Sequence, residues 1–151
     1  MNRNRMVEDA KLRFREGFVC SESVLMTFSE SFQMKSEIIP RIASGFGGGI
    51  GRKGSICGAL AGAIMSLGLK YGRNKSDETD ALDVCQEKSS ECYERFEKEM
   101  GSVNCRDLIQ CDISTVEGRK KWREQGLREN KCTKYIENSM KILLSLIDDE
   151  K

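Results

Sequence analysis

Apolar residues in this chain recur every three or four positions and almost never every two, and that restricts it to helices. Met6, Ala10, Phe14 and Phe18 are spaced by four and mark one face of a first helix. Gly17 is placed to end that helix. Cys20, Val24 and Phe28, with Leu25 and Phe32, give a second. Ile136, Met140, Leu143 and Ile147 give the last, at spacings of four, three and four. Between these, Met34 to Ser44 reads as a short third helix with Pro40 in or beside it. A small-residue helix is expected from about Ser55 to Leu69, where Gly58, Ala59, Ala61, Gly62 and Ala63 let neighbouring backbones come close. Ser76 to Met100 reads as a long charged helix capped by Ser76 and Asp77, with Leu82, Cys85, Tyr93 and Phe96 on its apolar side. Ser114-Thr115-Val116-Glu117 has capping-box spacing and starts another helix, which Gly126 can close.

These readings give an all-α fold, an irregular multi-helix bundle of about five to seven helices. The chain has 151 residues, enough for a single helical domain over 1–151 with one sizeable core. One proline and 32% charged residues suit amphipathic helices. The 25 Lys and Arg offset 24 Asp and Glu, so nothing in the charge draws the chain to nucleic acid or an anionic membrane. The basic run Arg119-Lys120-Lys121-Trp122-Arg123 reads as a solvated helix face, and Tyr71 as a residue that lines either a pocket or the core. The longest uncharged stretch, Gly54 to Leu69, is short of the roughly 18 apolar residues a membrane span needs. The charged N-terminal segment lacks the apolar centre of a signal peptide, and a cytoplasmic location is expected.

The chain contains no histidine. That removes Ser-His-Asp triads, Cys-His dyads and imidazole metal sites, and leaves proton transfer to Cys, Asp, Glu, Lys or Tyr. Seven cysteines are therefore the chemistry-bearing residues that stand out: Cys20, Cys57, Cys85, Cys92, Cys105, Cys111 and Cys132. In the helix pattern Cys20, Cys57, Cys105 and Cys132 each open a helix, Cys105 after Asn104 as a cap. A helix N-terminus presents unpaired N–H groups and the positive end of the macrodipole, which favours thiolate. Cys57 is expected to be the most activated of the four. Inert packing as a small hydrophobe is the alternative for each. It is the reading favoured for Cys85 and Cys92, seven residues apart on one helix and so about 10.5 Å apart along its axis. Cys111 is an auxiliary candidate. No CxxC pair occurs, so neither a thioredoxin-type dithiol nor a zinc knuckle is indicated.

The one unusual loop is Gly45 to Gly54, with six glycines in ten residues. It contains a literal GxGxxG at Gly49-Ile50-Gly51-Arg52-Lys53-Gly54, but no strand is indicated before it, as a dinucleotide fold requires. Two readings stay open: a flexible connector, or an anion site in which Gly49, Gly51, Arg52 and Lys53 act beside Cys57.

Cys57-Gly58-Ala59-Leu60-Ala61-Gly62 resembles the motif of the C_GCAxxG_C_C family of redox-active proteins. Cys20 within Gly17–Val24, Cys105 within Gly101–Leu108, and Cys132 are similar to the family's other three cysteines. The resemblance runs from about Phe14 to Leu144. It implies a small cytoplasmic protein with a redox role carried by these four thiols, no settled substrate, and a link to a membrane transporter through neighbouring genes. Three functions follow as expectations. One is thiol–disulfide exchange or electron transfer with a redox partner protein or small thiol. A second is a module holding zinc or an iron–sulfur cluster on the same four cysteines. The third is a helical scaffold or adaptor, able to form a homodimer, whose cysteines only pack.

Overall fold

The computed structural model describes residues 2–147, and contains seven α-helices and no strand among them. Residues 1 and 148–151 of the expected single domain lie outside the described residues. The helices are α1 (Arg3–Arg15), α2 (Cys20–Ser31), α3 (Gly58–Tyr71), α4 (Thr79–Met100), α5 (Cys105–Ile109), α6 (Val116–Glu124) and α7 (Thr133–Leu146). The all-α fold and the helix number agree with the periodicity.

The core forms around α3. Its length is apolar on nearly every side, with Ala59, Leu60, Ala63 and Leu67 fully buried. α2 packs on it most extensively, while α4 and α7 cover other faces and α1 closes over α2 and α7. Val24 and Phe28 of α2, Phe96 of α4, and Ile136, Met140 and Leu143 of α7 are fully buried there. Small residues on α3 permit the close α2 contact. A Cβ on Gly62 would lie 2.7 Å from the Ser21 carbonyl oxygen and 3.2 Å from the Ser21 Cα. No methyl group fits against that backbone.

Three local expectations are corrected. Met34 to Ser44 does not form an α-helix: residues 37–40 are a turn and a 3₁₀ turn follows over Arg41–Phe46. Pro40 has no N–H to give to a helix ladder and begins the new turn instead, after a cis peptide bond. The long helix starts at Thr79, not Ser76. Glu78 reaches back to accept the Lys75 N–H at 2.9 Å, and this fixes the turn before the helix. Helix α6 is capped by Thr115, whose hydroxyl accepts the Gly118 N–H at 2.9 Å, one residue later than the box centred on Ser114. Gly126 closes α6 as expected, with φ at +63°.

The Gly45–Gly54 loop is neither a dinucleotide-binding turn nor a flexible connector. It begins within the 3₁₀ turn and is wound by its own backbone. Gly51 N–H bonds to Gly45 at 2.9 Å, Gly54 N–H to Gly48 at 3.2 Å and Ser55 N–H to Gly49 at 2.9 Å. Residues 48 to 52 all have positive φ, including Ile50 at +66° and Arg52 at +67°. L-residues avoid this region, so the loop bonds hold Ile50 and Arg52 in conformations they would not choose. The loop is then joined to the segment before α5: Cys57 N–H bonds to Val103 and Cys105 N–H to Ser55, both at 2.7 Å.

Candidate functional site

Four cysteines far apart in sequence meet where α2, α3, α5 and the start of α7 converge beneath the glycine loop. Cys20 is the first residue of α2, and its sulfur lies against the Gly58 Cα at the start of α3, where any Cβ would overlap it. Cys57 is the residue immediately before α3 and is buried. Cys105 begins α5, with its Cβ against Gly49, where a Cβ would lie 2.7 Å away. Cys20, Cys105 and Cys132 open on a cavity of about 460 Å³, and Cys57 sits behind them in the core. All seven thiols are free.

Cys132 does not open a helix. Residues Arg128–Cys132 form a π turn that runs directly into α7, so its backbone is already helical. The extra residue of such a turn re-aims the side chains around it. Here it delivers both Arg128 and Cys132 to the cavity.

The expectation of ready thiolates is also corrected. Burial pushes all four thiols up, and outweighs the helix-end contribution. Cys105 and Cys132 are raised from 9.0 to about 12, each by desolvation first and by the charge of a Cys20 thiolate next. Cys57 is raised well above the ordinary range, again by burial and then by Cys20. It is not the most activated thiol. Cys20 is raised too, by burial, but the N–H groups of Gly48, Ser21 and its own residue face its sulfur, and Arg128 adds positive charge. No other thiolate charge raises Cys20, whereas Cys20 raises each of the other three. A Cys20 thiolate therefore opposes ionisation of the other three.

The loop residues expected to bind an anion divide. Gly51 and Arg52 line the cavity, whereas Gly49 and Lys53 do not. Gly49 packs on Cys105, and the Lys53 carbonyl accepts from Arg106 at 3.3 Å. The N–H groups of residues 50 to 55 bond within the loop and face no ligand. The loop's contribution to the sulfur cluster is the Gly48 N–H on Cys20.

Several residues at the site were not singled out by sequence. The Arg128 guanidinium stacks 3.8 Å from the Phe14 ring centre and donates to the carbonyls of Phe14 and Phe18. Trp122 lines the cavity and its buried indole N–H has no partner of good hydrogen-bond geometry; it faces Cys132 and lowers that thiol's pKa against the effect of burial. Tyr135 donates to the Leu108 carbonyl at 2.6 Å, and its hydroxyl is raised by burial and by the charges of Cys132, Cys57 and Cys105. The basic face of α6 is not simply solvated, since Arg119 and Arg123 reach the cavity wall. Spacing gives a hint: Arg119, Trp122 and Arg123 fall three and four apart on one helix face.

The remaining cysteines separate. Cys92 is fully buried in the main core on α4, and burial pushes its thiol to about 12. Cys85 lies on the same helix, away from the cluster. Cys111 donates to the Gly118 carbonyl at 3.1 Å, in a small satellite core of Ile109, Ile113 and Leu127 that touches Cys105 and Cys132. Tyr71 lines no cavity at the site; Lys88 lies over its ring at 4.6 Å. Among the described residues no group of three or more Cys, Asp or Glu side chains is arranged to hold a metal ion. No helix among them is long and apolar enough to cross a membrane.

The fold and site define an all-helical protein with a cluster of free thiols under an arginine-lined cavity. The chain matches the family described as "Putative redox-active protein (C_GCAxxG_C_C)" over residues 18–146, and it belongs to that family. It is 29% identical over 140 residues to an uncharacterized protein of Archaeoglobus fulgidus, covering 87% of this chain and 86% of that relative. No solved structure matches it.

Proposed function

We propose that this protein exchanges electron pairs between its clustered thiols and the disulfide of a partner protein or small molecule. The observation that supports this most directly is that one sulfur, Cys20, sits close enough to raise the three others electrostatically while facing a cavity itself. Cys20 is the attacking thiol. Three N–H groups and Arg128 favour its anion, and the cavity gives a substrate access to it. Its thiolate attacks the incoming disulfide, forms a mixed disulfide and releases one thiol, which takes a proton. A second thiol of the cluster then loses its proton, attacks the Cys20 sulfur and releases the second substrate thiol. The substrate disulfide is reduced to two thiols, and two protein thiols become one disulfide.

The resolving thiols suit that order. With Cys20 ionised, each stays protonated and cannot compete for the substrate. Once the Cys20 charge is consumed in the mixed disulfide, the largest charge effect on each is relieved.

The test is free-thiol titration before and after a mild oxidant, with peptide mapping of the disulfides and metal analysis of protein purified without oxygen. Every disulfide formed within the cluster should include Cys20, and Cys20→Ser should prevent their formation. Four cluster thiols that never pair would refute the reading. A stoichiometric metal bound by the cluster would replace it with the metal-centre alternative.

A further inference from the structure

We infer that the cavity selects small organic disulfides that carry carboxylates, and that its arginines bind those groups while the disulfide bond lies at Cys20. This rests on the thiol-exchange reading and names the substrate class it would take.

Four arginines, Arg52, Arg119, Arg123 and Arg128, line the cavity, and no Asp or Glu among the described residues does. The chain as a whole is nearly neutral, so this is a local concentration of one sign. The groups come from separate parts of the chain: the glycine loop, α6 and the π turn. Two of them are fixed. Arg128 is held by two carbonyls and the Phe14 ring, and Arg119 donates to the Ile113 carbonyl at 3.0 Å. Arg52 and Arg123 make no ion pair and no side-chain hydrogen bond among the described residues, though carboxylates are plentiful in the sequence. Other exposed arginines are ion-paired, as in Arg15–Glu129 at 2.8 Å and Arg106–Asp112 at 3.3 Å, or donate to neutral oxygens, as Arg73 and Arg95 do, while Arg41 is unpaired among the described residues like the two at the cavity. At the cavity Arg52 is also held at a φ of +67°, a conformation that L-residues avoid.

Size favours a small molecule. A cavity of about 460 Å³ lies in the range of small-ligand sites, roughly 300–1,000 Å³. The apolar wall of Phe14, Val19, Ile109, Ile113 and Trp122 suits short methylene chains, and the arginine forks suit carboxylates. The thiols of Cys20, Cys105 and Cys132 on the same surface give a disulfide between those ends something to react with. In the step proposed, the Cys20 sulfur bonds to one substrate sulfur, the substrate S–S bond breaks and the released thiolate takes a proton. The second cluster thiol completes the two-electron transfer.

Three disulfides of similar size separate charge from reactivity: dithiodipropionate, neutral bis(hydroxyethyl) disulfide and cationic cystamine. Single-turnover reduction by the fully reduced protein should be saturable and at least about tenfold faster for the dianion than for the neutral compound, with added salt narrowing the gap. Arg52→Gln and Arg123→Gln should each lower that ratio by about tenfold, in line with a lost charged hydrogen bond. Arg5→Gln, on the exposed face of α1, should leave it unchanged. Suberate, which replaces both sulfurs by methylenes, should change the fluorescence of Trp122, the chain's single tryptophan, even in Cys20→Ser. Equal rates for the three disulfides together with no suberate response would overturn this inference and leave thiol exchange standing. A suberate response with no disulfide reduced would overturn thiol exchange, and the substrate assignment with it.

Discussion

Replacing Gly62 and Gly68 separately by alanine tests the argument that α3 is built of small residues so that α2 can approach it. Both glycines lie within α3, so both substitutions gain helix propensity of about 1 kcal/mol. Their surroundings differ. A Cβ on Gly68 meets nothing within 4 Å, whereas one on Gly62 meets the Ser21 carbonyl oxygen at 2.7 Å and Val24 Cβ at 3.0 Å. Two of the three nearest atoms at Gly62 are backbone atoms, so no side chain can rotate away and the helices must separate. Overpacking of that kind costs up to about 3 kcal/mol. Gly62→Ala should therefore be net destabilising by about 2 kcal/mol, and Gly68→Ala stabilising by about 1 kcal/mol. For a chain of this length the melting temperature should fall by about 4–8 °C in the first and rise by about 2–4 °C in the second. Calorimetry or far-ultraviolet circular dichroism would measure both. Equal shifts, or a stabilised Gly62→Ala, would show that α2 and α3 have room between them and that the reasoning is wrong.

Other outcomes follow from the site. In the folded protein Cys105 and Cys132, raised from 9.0 to about 12, should react with iodoacetamide near neutral pH about 10³-fold more slowly than in urea, as mass spectrometry of the alkylated peptides would show. Because folding raises these thiols and that of Cys92, their contribution to stability is complete below pH 9.0 and is lost as pH rises toward about 12. Urea midpoints should thus fall across that window, and Cys92→Ala, though less stable throughout, should show a shallower fall. Gly58→Ala should displace the Cys20 sulfur and slow disulfide formation after mild oxidation more than Gly68→Ala does, measured as loss of free thiols.

The periodic part of the sequence was legible because burial in a helical bundle is itself periodic. Ala10, Phe14, Val24, Phe28, Ile136, Met140 and Leu143 all lie in the core. The ionisation state of the thiols was misread because two opposed effects are both local to helix ends. The dipole is worth about 0.3–1 kcal/mol. Desolvation, with the neighbouring Cys20 charge added to it, raises these thiols by about 3 pKa units, or about 4 kcal/mol, and sequence shows the helix end but not the depth of burial. The cavity was illegible for a different reason. Phe14, Arg52, Trp122 and Arg128 come from four separate segments, and nothing in the spacing of one element records its distance from another. The π turn at Arg128–Cys132 had no signal at all, since an inserted helical residue changes direction without changing composition.

The family motif can be understood as one packing device and not as a string of separate functional residues. Gly58 and Gly62 are four apart, so they lie on one face of α3, and both face the backbone of Ser21 at the start of α2. With no Cβ at Gly58, the Cys20 sulfur settles against α3 next to Cys57. With none at Gly49, the Cys105 Cβ packs against the loop. The wound loop then leaves the Gly48 N–H facing the Cys20 sulfur. Glycine at 49 and 58 thus leaves room that a Cβ would take from the Cys105 and Cys20 side chains. Burial there, and then the charge of a Cys20 thiolate, raise the thiols of Cys57, Cys105 and Cys132.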